Sequence, residues 1–196
     1  MELFGGRDAY LKKLDSLFEQ EPGVSNENVS DMSGYIGQYV HGNEPSHHIV
    51  FLYVYAGQPY KTQKRVREIL DTLYHNDRDG LSGNEDCGQM SAWYVMAALG
   101  LYAVDPVSAT YVLTAPQFPK ASVRVGAGKD LVIEAKRTAP SDMYVQSVTL
   151  NGKTLDRMWV KHTEIAEGGR LVLTLGANPN EQLGKDPSVV PPSLTA

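Results

Sequence analysis

Gly88-Gln89-Met90-Ser91-Ala92-Trp93-Tyr94-Val95-Met96-Ala97-Ala98-Leu99, closed by Gly100, is the stretch on which the fold turns. It carries no charge and is apolar nearly all round, so it predicts a helix buried on several sides. Gly100 supplies the stop. Past it, near residue 105, the composition shifts to short alternating runs rich in Val, Thr and Gly. A helical half followed by a β half reads as an α+β protein.

Working back from that helix, the spacing predicts an amphipathic one over Tyr60–Tyr74. Val66, Ile69, Leu70 and Leu73 form one face, opposite Lys61, Lys64, Arg65, Arg67 and Glu68. Before it, Pro45–Ala56 opens with Pro at a helix start and continues as an almost wholly apolar run, so it too should be buried. The first helix, Arg7–Gln20, is amphipathic through Tyr10, Leu11, Leu14, Leu17 and Phe18, and Pro22-Gly23 ends it. Residues 21–44 then read as a long loop, a length that is usually functional or mobile. Buried helices thus alternate with half-exposed ones, as in one arc of an α/α toroid; a plain bundle would expose one face of each helix. Alternation puts the starts of the second and fourth helices at the same end. The loops before them, His41-Gly42-Asn43-Glu44 and Gly83-Asn84-Glu85-Asp86, should therefore converge.

The β half offers Thr110–Thr114, Ser122–Val125, Leu131–Ala135, Val145–Leu150, Thr154–Leu155, Met158–Lys161 and Leu171–Leu175, with Asn151-Gly152 as a hairpin signal. Such spacing suggests a small antiparallel β-sandwich. The expected organisation is residues 1–104 helical, 105–180 β-sandwich-like, and 181–196 a proline-bearing tail.

The 196 residues carry 18 Lys plus Arg and 23 Asp plus Glu, a net charge of −5 without any basic block. That argues against nucleic acid or anionic membrane as the main partner. No apolar run approaches a membrane span, and the opening MELFGGRDAY does not look like a secretory signal. One cysteine, Cys87, excludes an internal disulfide and a cysteine-built zinc site.

Polar chemistry concentrates in the two loops. Glu85 and Asp86 open a helix that looks buried; they could cap it and complement its dipole, or act as an acid/base pair, or hold a hard cation. Asn43 and Glu44 have the same two readings, cap or oxygen ligands for calcium. His47 and His48 are adjacent, so at most one shares a face with Glu44, and no HExxH-type pair is present. His41 lies in the loop and is freer to reach a ligand. Trp93, Tyr53 and Tyr55 could stack on a sugar, although aromatics on apolar helices are mostly core. Cys87 has no basic partner nearby in sequence and reads as packing.

The segments His41-Gly42-Asn43-Glu44-Pro45-Ser46-His47-His48, Tyr55-Ala56-Gly57-Gln58-Pro59 and Gly80-Leu81-Ser82-Gly83-Asn84-Glu85-Asp86-Cys87-Gly88-Gln89-Met90-Ser91-Ala92-Trp93-Tyr94 resemble glycoside hydrolase family 92. The likeness covers roughly residues 1–180, and the last segment is its most specific part. That family holds calcium-dependent, inverting exo-α-mannosidases acting on terminal α-mannosides of glycans, α-1,2-linked among them. It is built from an N-terminal β-sandwich, an (α/α)6 catalytic barrel and short β elements. The resemblance therefore implies the C-terminal helices of a toroid followed by a small β region. It implies Asp86 as the general base, with Glu85 or Asn84 beside it. It also implies Asn43, Glu44 and Asp86 at the Ca2+ end, with His41, Glu44 and His47 toward the sugar.

In that family the general acid is a Glu in an E-G-N-A-W-Q-Y stretch, which this sequence lacks. The expectation is a fragment whose acid lies upstream of Met1 and which turns over little mannoside alone. Self-association through exposed inner-helix surface should follow. The resemblance also implies a periplasmic or secreted protein and a mannose-containing glycan as partner. The alternatives are a non-catalytic carbohydrate-binding module or another α/α-barrel glycosidase.

Overall fold

In the computed structural model, residues 1–22 and 32–193 are described. Part of the predicted 21–44 loop (residues 23–31, including Gly23 of the stop signal) and the last three residues of the tail fall outside them.

Helix α1 spans Arg7–Glu19 and buries Leu11, Leu14 and Phe18, as its periodicity requires. The region expected to be a long loop contains a short hairpin, β1 (Tyr35–Ile36) with β2 (Tyr39–Val40). Its turn residue Gly37 has φ +60°, and a Cβ there would stand 2.5 Å from the Phe18 carbonyl carbon. Only glycine lets the hairpin lie so close to the end of α1.

The second helix forms in pieces rather than as one rod. Two 3-10 turns, Glu44–Ser46 and Ile49–Phe51, lead into a single α turn, α2 (Leu52–Tyr55). Ile49, Val50, Phe51, Tyr53 and Val54 are middling helix formers, so tertiary burial of Val50, Phe51, Tyr53 and Val54 decides the backbone here. Helix α3 (Pro59–Thr72) starts on its proline and buries Thr62, Gln63, Val66, Ile69 and Leu70. Helix α4 (Gln89–Leu99) buries Met90, Trp93, Ala97 and Ala98 and stops at Gly100, φ +84°. It is not enclosed on every side, because Val95 is 54% exposed.

Leu101–Asp105 is a strand, β3, which the expected boundary at residue 104 had cut through. It pairs with β4 (Thr110–Leu113), and β4 pairs with β9 (Trp159–Lys161), giving one antiparallel three-stranded sheet. The second sheet contains β5 (Lys120–Arg124), β6 (Asp130–Lys136), β7 (Tyr144–Leu150), β8 (Lys153–Leu155) and β10 (Gly169–Gly176), in the order β5-β6-β10-β7-β8. A short helix, α5 (His162–Ile165), precedes β10. Asn151 and Gly152, at φ +51° and +80°, make the predicted β7–β8 turn.

The expectation of a purely antiparallel β region needs correction: β10 runs parallel to β6 and antiparallel to β7. β10 is the middle strand of this sheet, and it buries Leu171, Leu173 and Leu175. A strand inserted between β6 and β7, which run in opposite directions, must be parallel to one of them.

Helical and β halves share one hydrophobic cluster, running from Leu11 to Leu175. A buried bond joins them directly, Val145 N donating to Gln63 Oε1 at 3.0 Å. The segment read as a tail is also tied down through residue 189: Trp159 Nε1 donates to the Val189 carbonyl at 2.9 Å, and Arg7 to that of Lys185 at 3.3 Å. Within it Pro187 opens a single 3-10 turn, Pro187–Val189, capped by the Asp186 side chain.

Candidate active site

The two polar loops meet. A Cβ on Gly83 would stand 2.6 Å from Gly42 Cα, and one on Gly42 would stand 2.6 Å from the Ser82 carbonyl. Two glycines therefore let two backbones touch where any side chain would hold them apart. The starts of the second and fourth helices are joined as well, with Gln89 Nε2 3.2 Å from His47 Nδ1 and Trp93 Nε1 donating to the His47 carbonyl at 3.1 Å.

At the rim above this contact, the Glu44 and Asp86 carboxyls face each other. A hydrogen bond to Glu44, followed by its charge, pushes the Asp86 carboxyl above the usual carboxylate range. Glu44 Oε1 is buried without a hydrogen-bond partner among the described residues. Asp86 also has φ +37° and Cys87 φ +58°, a left-handed pair followed by Gly88 at φ +90°. Non-glycine residues are held this way only where the surroundings over-determine them, often at functional sites.

Glu85 behaves differently from its neighbour. Its carboxylate accepts from Ser91 N at 2.9 Å and from Ser91 Oγ at 2.6 Å, capping the first turn of α4. Those bonds hold its carboxyl below the ordinary range. Asn43 and Asn84 are exposed beside the pair, and so is Cys87, contrary to the expectation that it packs inside.

His41 and His47 are not at the surface. Their side chains lie beneath the rim, 0% and 1% exposed, so the expectation that His41 is free to reach a ligand is corrected. The rings stack at 4.7 Å. Tyr39 OH lies 2.9 Å from His41 Nδ1, and Tyr74 OH lies 2.7 Å from His41 Nε2 while donating to the Met90 carbonyl at 3.0 Å. With the Tyr74 proton committed to Met90, His41 must donate from Nε2 and accept at Nδ1. Burial, and then the charge of His47, lower its pKa to about 3, so it is neutral at ordinary pH. Burial likewise lowers His47, whose Nε2 donates to the His41 carbonyl at 2.9 Å. Tyr39, Tyr74, Gln89 and Ser91 are site-supporting residues that pattern reading missed. Tyr74 carried a signal only as the last position of an amphipathic helix.

Among the described residues, no three His, Cys, Asp or Glu side chains form a group able to hold a metal ion. The chain supplies a partial set, two facing carboxylates with an orphaned buried oxygen, the donor chemistry of a hard cation rather than of zinc.

Residues 1–177 match the glycosyl hydrolase family 92 catalytic domain. The chain belongs to that family. As a family 92 chain it is 33% identical over 199 residues to a protein of Arthroderma benhamiae called an uncharacterized secreted glycosidase, all of this chain aligning with 24% of that one. Its fold superimposes on a family 92 alpha-mannosidase of Bacteroides thetaiotaomicron in complex with mannoimidazole, at TM-score 0.91 and 39% identity, over 96% of this chain and 25% of that one. It superimposes also on a family 92 inverting mannosidase of the same organism, at TM-score 0.85 and 36% identity, over 100% of this chain and 28% of the other. The chain thus spans about a quarter of the length of these relatives. No helix among the described residues is long and apolar enough to cross a membrane.

Proposed function

We propose that this family 92 chain carries the base side of the sugar-hydrolysing site of an inverting exo-α-mannosidase acting on mannose-containing glycans. The observation that carries the reading is the meeting of Glu44 and Asp86 from loops some forty residues apart in the chain.

Asp86 is the general base. Its carboxyl, raised by Glu44, lies nearer to working pH than a free carboxylate and can take a proton from water in the open rim. Glu85 is already committed to Ser91 and serves as the cap that fixes the base. Asn84 and Asn43 flank the reacting sugar with exposed amides. Asn43, Glu44 and Asp86 are the residues that would hold calcium, and bound calcium would neutralise the paired carboxylates and orient vicinal sugar hydroxyls. Inverting pairs stand roughly 6.5–9.5 Å apart to admit water. Glu44 is within hydrogen-bond reach of Asp86, too close to be the acid partner. In this reading the acid is supplied by the part of the family 92 fold that this chain, a quarter of its relatives' length, does not span, within a fuller α/α toroid of which these helices form an arc. By likeness to the secreted relative, the protein works outside the cytoplasm.

The test is Asp86→Asn in the protein at its full natural length, with hydrolysis of an aryl α-mannoside followed by NMR of the released anomer. The expected result is β-mannose from the parent and loss of turnover, with sugar binding kept, in the variant. Unchanged turnover would remove Asp86 from the chemistry. The 196-residue chain alone should bind sugar weakly and hydrolyse little.

A further inference from the structure

The rim carboxylates sit on loops, and loops hold a catalytic geometry only when something rigid beneath them fixes it. Three ties converge on Tyr74, just past the end of α3. Its backbone bridges to Leu81, and His75 N donates to the Gly80 carbonyl at 2.9 Å, closing the turn that leads into the Asp86 loop. Its hydroxyl contacts His41 in the other loop and the Met90 carbonyl in the first turn of α4. Its ring lies parallel to Trp93, centroids 5.9 Å apart and interplanar angle 1°. Burial pushes the Tyr74 phenol up, so it stays protonated and can keep donating.

We propose that Tyr74 is a positioning residue: its hydroxyl clamps His41 of the first loop to the start of α4 and thereby sets Asp86 opposite Glu44. The proposal rests on the glycosidase reading for its kinetic consequence but not for its structural one. Tyr39 is the internal comparison. It binds the other nitrogen of His41 and is more deeply buried, 1% exposed where Tyr74 is half-buried. But it sits on β2, in the same segment as His41, and among the described residues its ring and hydroxyl meet Phe18 and His41 rather than the Asp86 loop or α4.

The experiment compares Tyr74→Phe with Tyr39→Phe in the protein at full natural length, at a temperature where both are folded. One arm measures kcat and KM for an aryl α-mannoside. The other measures hydrogen exchange at the amides of Gly88, Gln89 and Met90, which bond to the Glu85 and Asp86 carbonyls. Tyr74→Phe should lower kcat roughly 10- to 100-fold with KM held within about twofold, the mark of lost alignment. It should also speed exchange at those amides by about tenfold, whereas Tyr39→Phe should do neither. If Tyr74→Phe does not fold, His41→Phe severs the same bond from the other side together with the Tyr39 bond, and the part of its effect that exceeds that of Tyr39→Phe is read in the same way. Equal effects of the two tyrosine variants, in proportion to their loss of stability, would overturn the proposal. A parent inactive on mannosides with exchange still selective for Tyr74→Phe would sink the glycosidase reading and leave the clamp standing.

Discussion

Gly83→Ala is the sharpest test of the loop contact. The added methyl would stand 2.6 Å from both Gly42 Cα and Gly42 O. Both are backbone atoms of a buried residue and cannot swing aside as a side-chain end would. Forcing a methyl into such a contact costs about 1–3 kcal/mol. For a chain of this size each kcal/mol lowers the melting temperature by roughly 2–4 °C, so the variant should melt roughly 2–12 °C below the parent. The control is Gly176→Ala, whose methyl would have atoms of the flexible Gln146 side chain as its nearest neighbours, from 3.1 Å. It should stay within about 0.5 kcal/mol of the parent. Gly42→Ala should cost a similar amount to Gly83→Ala, since its methyl would approach the Ser33 side chain and the Ser82 carbonyl. The double variant then discriminates. Once one methyl has pried the loops apart, the second enters space already opened, so the pair should cost less than the sum, with a coupling of about 0.5–3 kcal/mol. Calorimetry of the four proteins reads all of this. Gly83→Ala melting with the parent would mean that the loops do not touch, and the convergence of Glu44 with Asp86 would fall with it.

Other consequences follow from buried bonds. His41 has a folded pKa of about 3 against an ordinary 6.5, so the unfolded chain binds its proton first as pH falls. Stability from this group is whole above about pH 6.5 and declines from there toward pH 3; urea midpoints should show that slope, and His41→Gln should flatten it. Trp93→Phe leaves the His47 carbonyl unpaired in the core and should cost about 1–3 kcal/mol in urea unfolding, beyond any loss of packing. Gln63→Leu orphans Val145 N between α3 and β7 and should cost a similar 1–3 kcal/mol. Because the core is shared, tryptophan fluorescence and far-UV circular dichroism should report one coincident transition in the parent.

The elements legible in sequence were those whose own pattern specifies them. Leu11, Leu14 and Phe18 fix α1, Val66, Ile69 and Leu70 fix α3, and Asn151-Gly152 fixes its hairpin. The two loops could be brought together on paper because helix alternation constrains which ends adjoin. What escaped was set by distant partners. Pro45–Ala56 has an apolar composition that burial satisfies equally well with 3-10 turns. Leu101–Asp105 follows a helix-stopping glycine so closely that only its pairing with β4 marks it as a strand. The parallel β6–β10 register depends on where β10 inserts. His41 looked accessible because loop residues usually are, and Tyr39, Tyr74 and Trp93 that enclose it come from three separate segments.

The division of labour between Glu85 and Asp86 shows why neither reading of an acidic helix start could win from sequence alone. Each residue was a candidate for both cap and catalyst. The backbone resolves it: a left-handed turn at Asp86, Cys87 and Gly88 lets Glu85 fold back onto Ser91 while Asp86 turns toward Glu44. Two adjacent carboxyls then diverge, Glu85 lowered by its donors and Asp86 raised by its hydrogen bond to Glu44 and then by that residue's like charge. Environments that push neighbouring carboxyls apart are how one site separates a spectator from a base. Ser91→Ala should therefore move the Glu85 titration up toward its ordinary value, leave that of Asp86 where it is, and fray the first turn of α4, all readable by side-chain carboxyl NMR and amide exchange. Movement of Asp86 instead of Glu85 would reverse the two assignments.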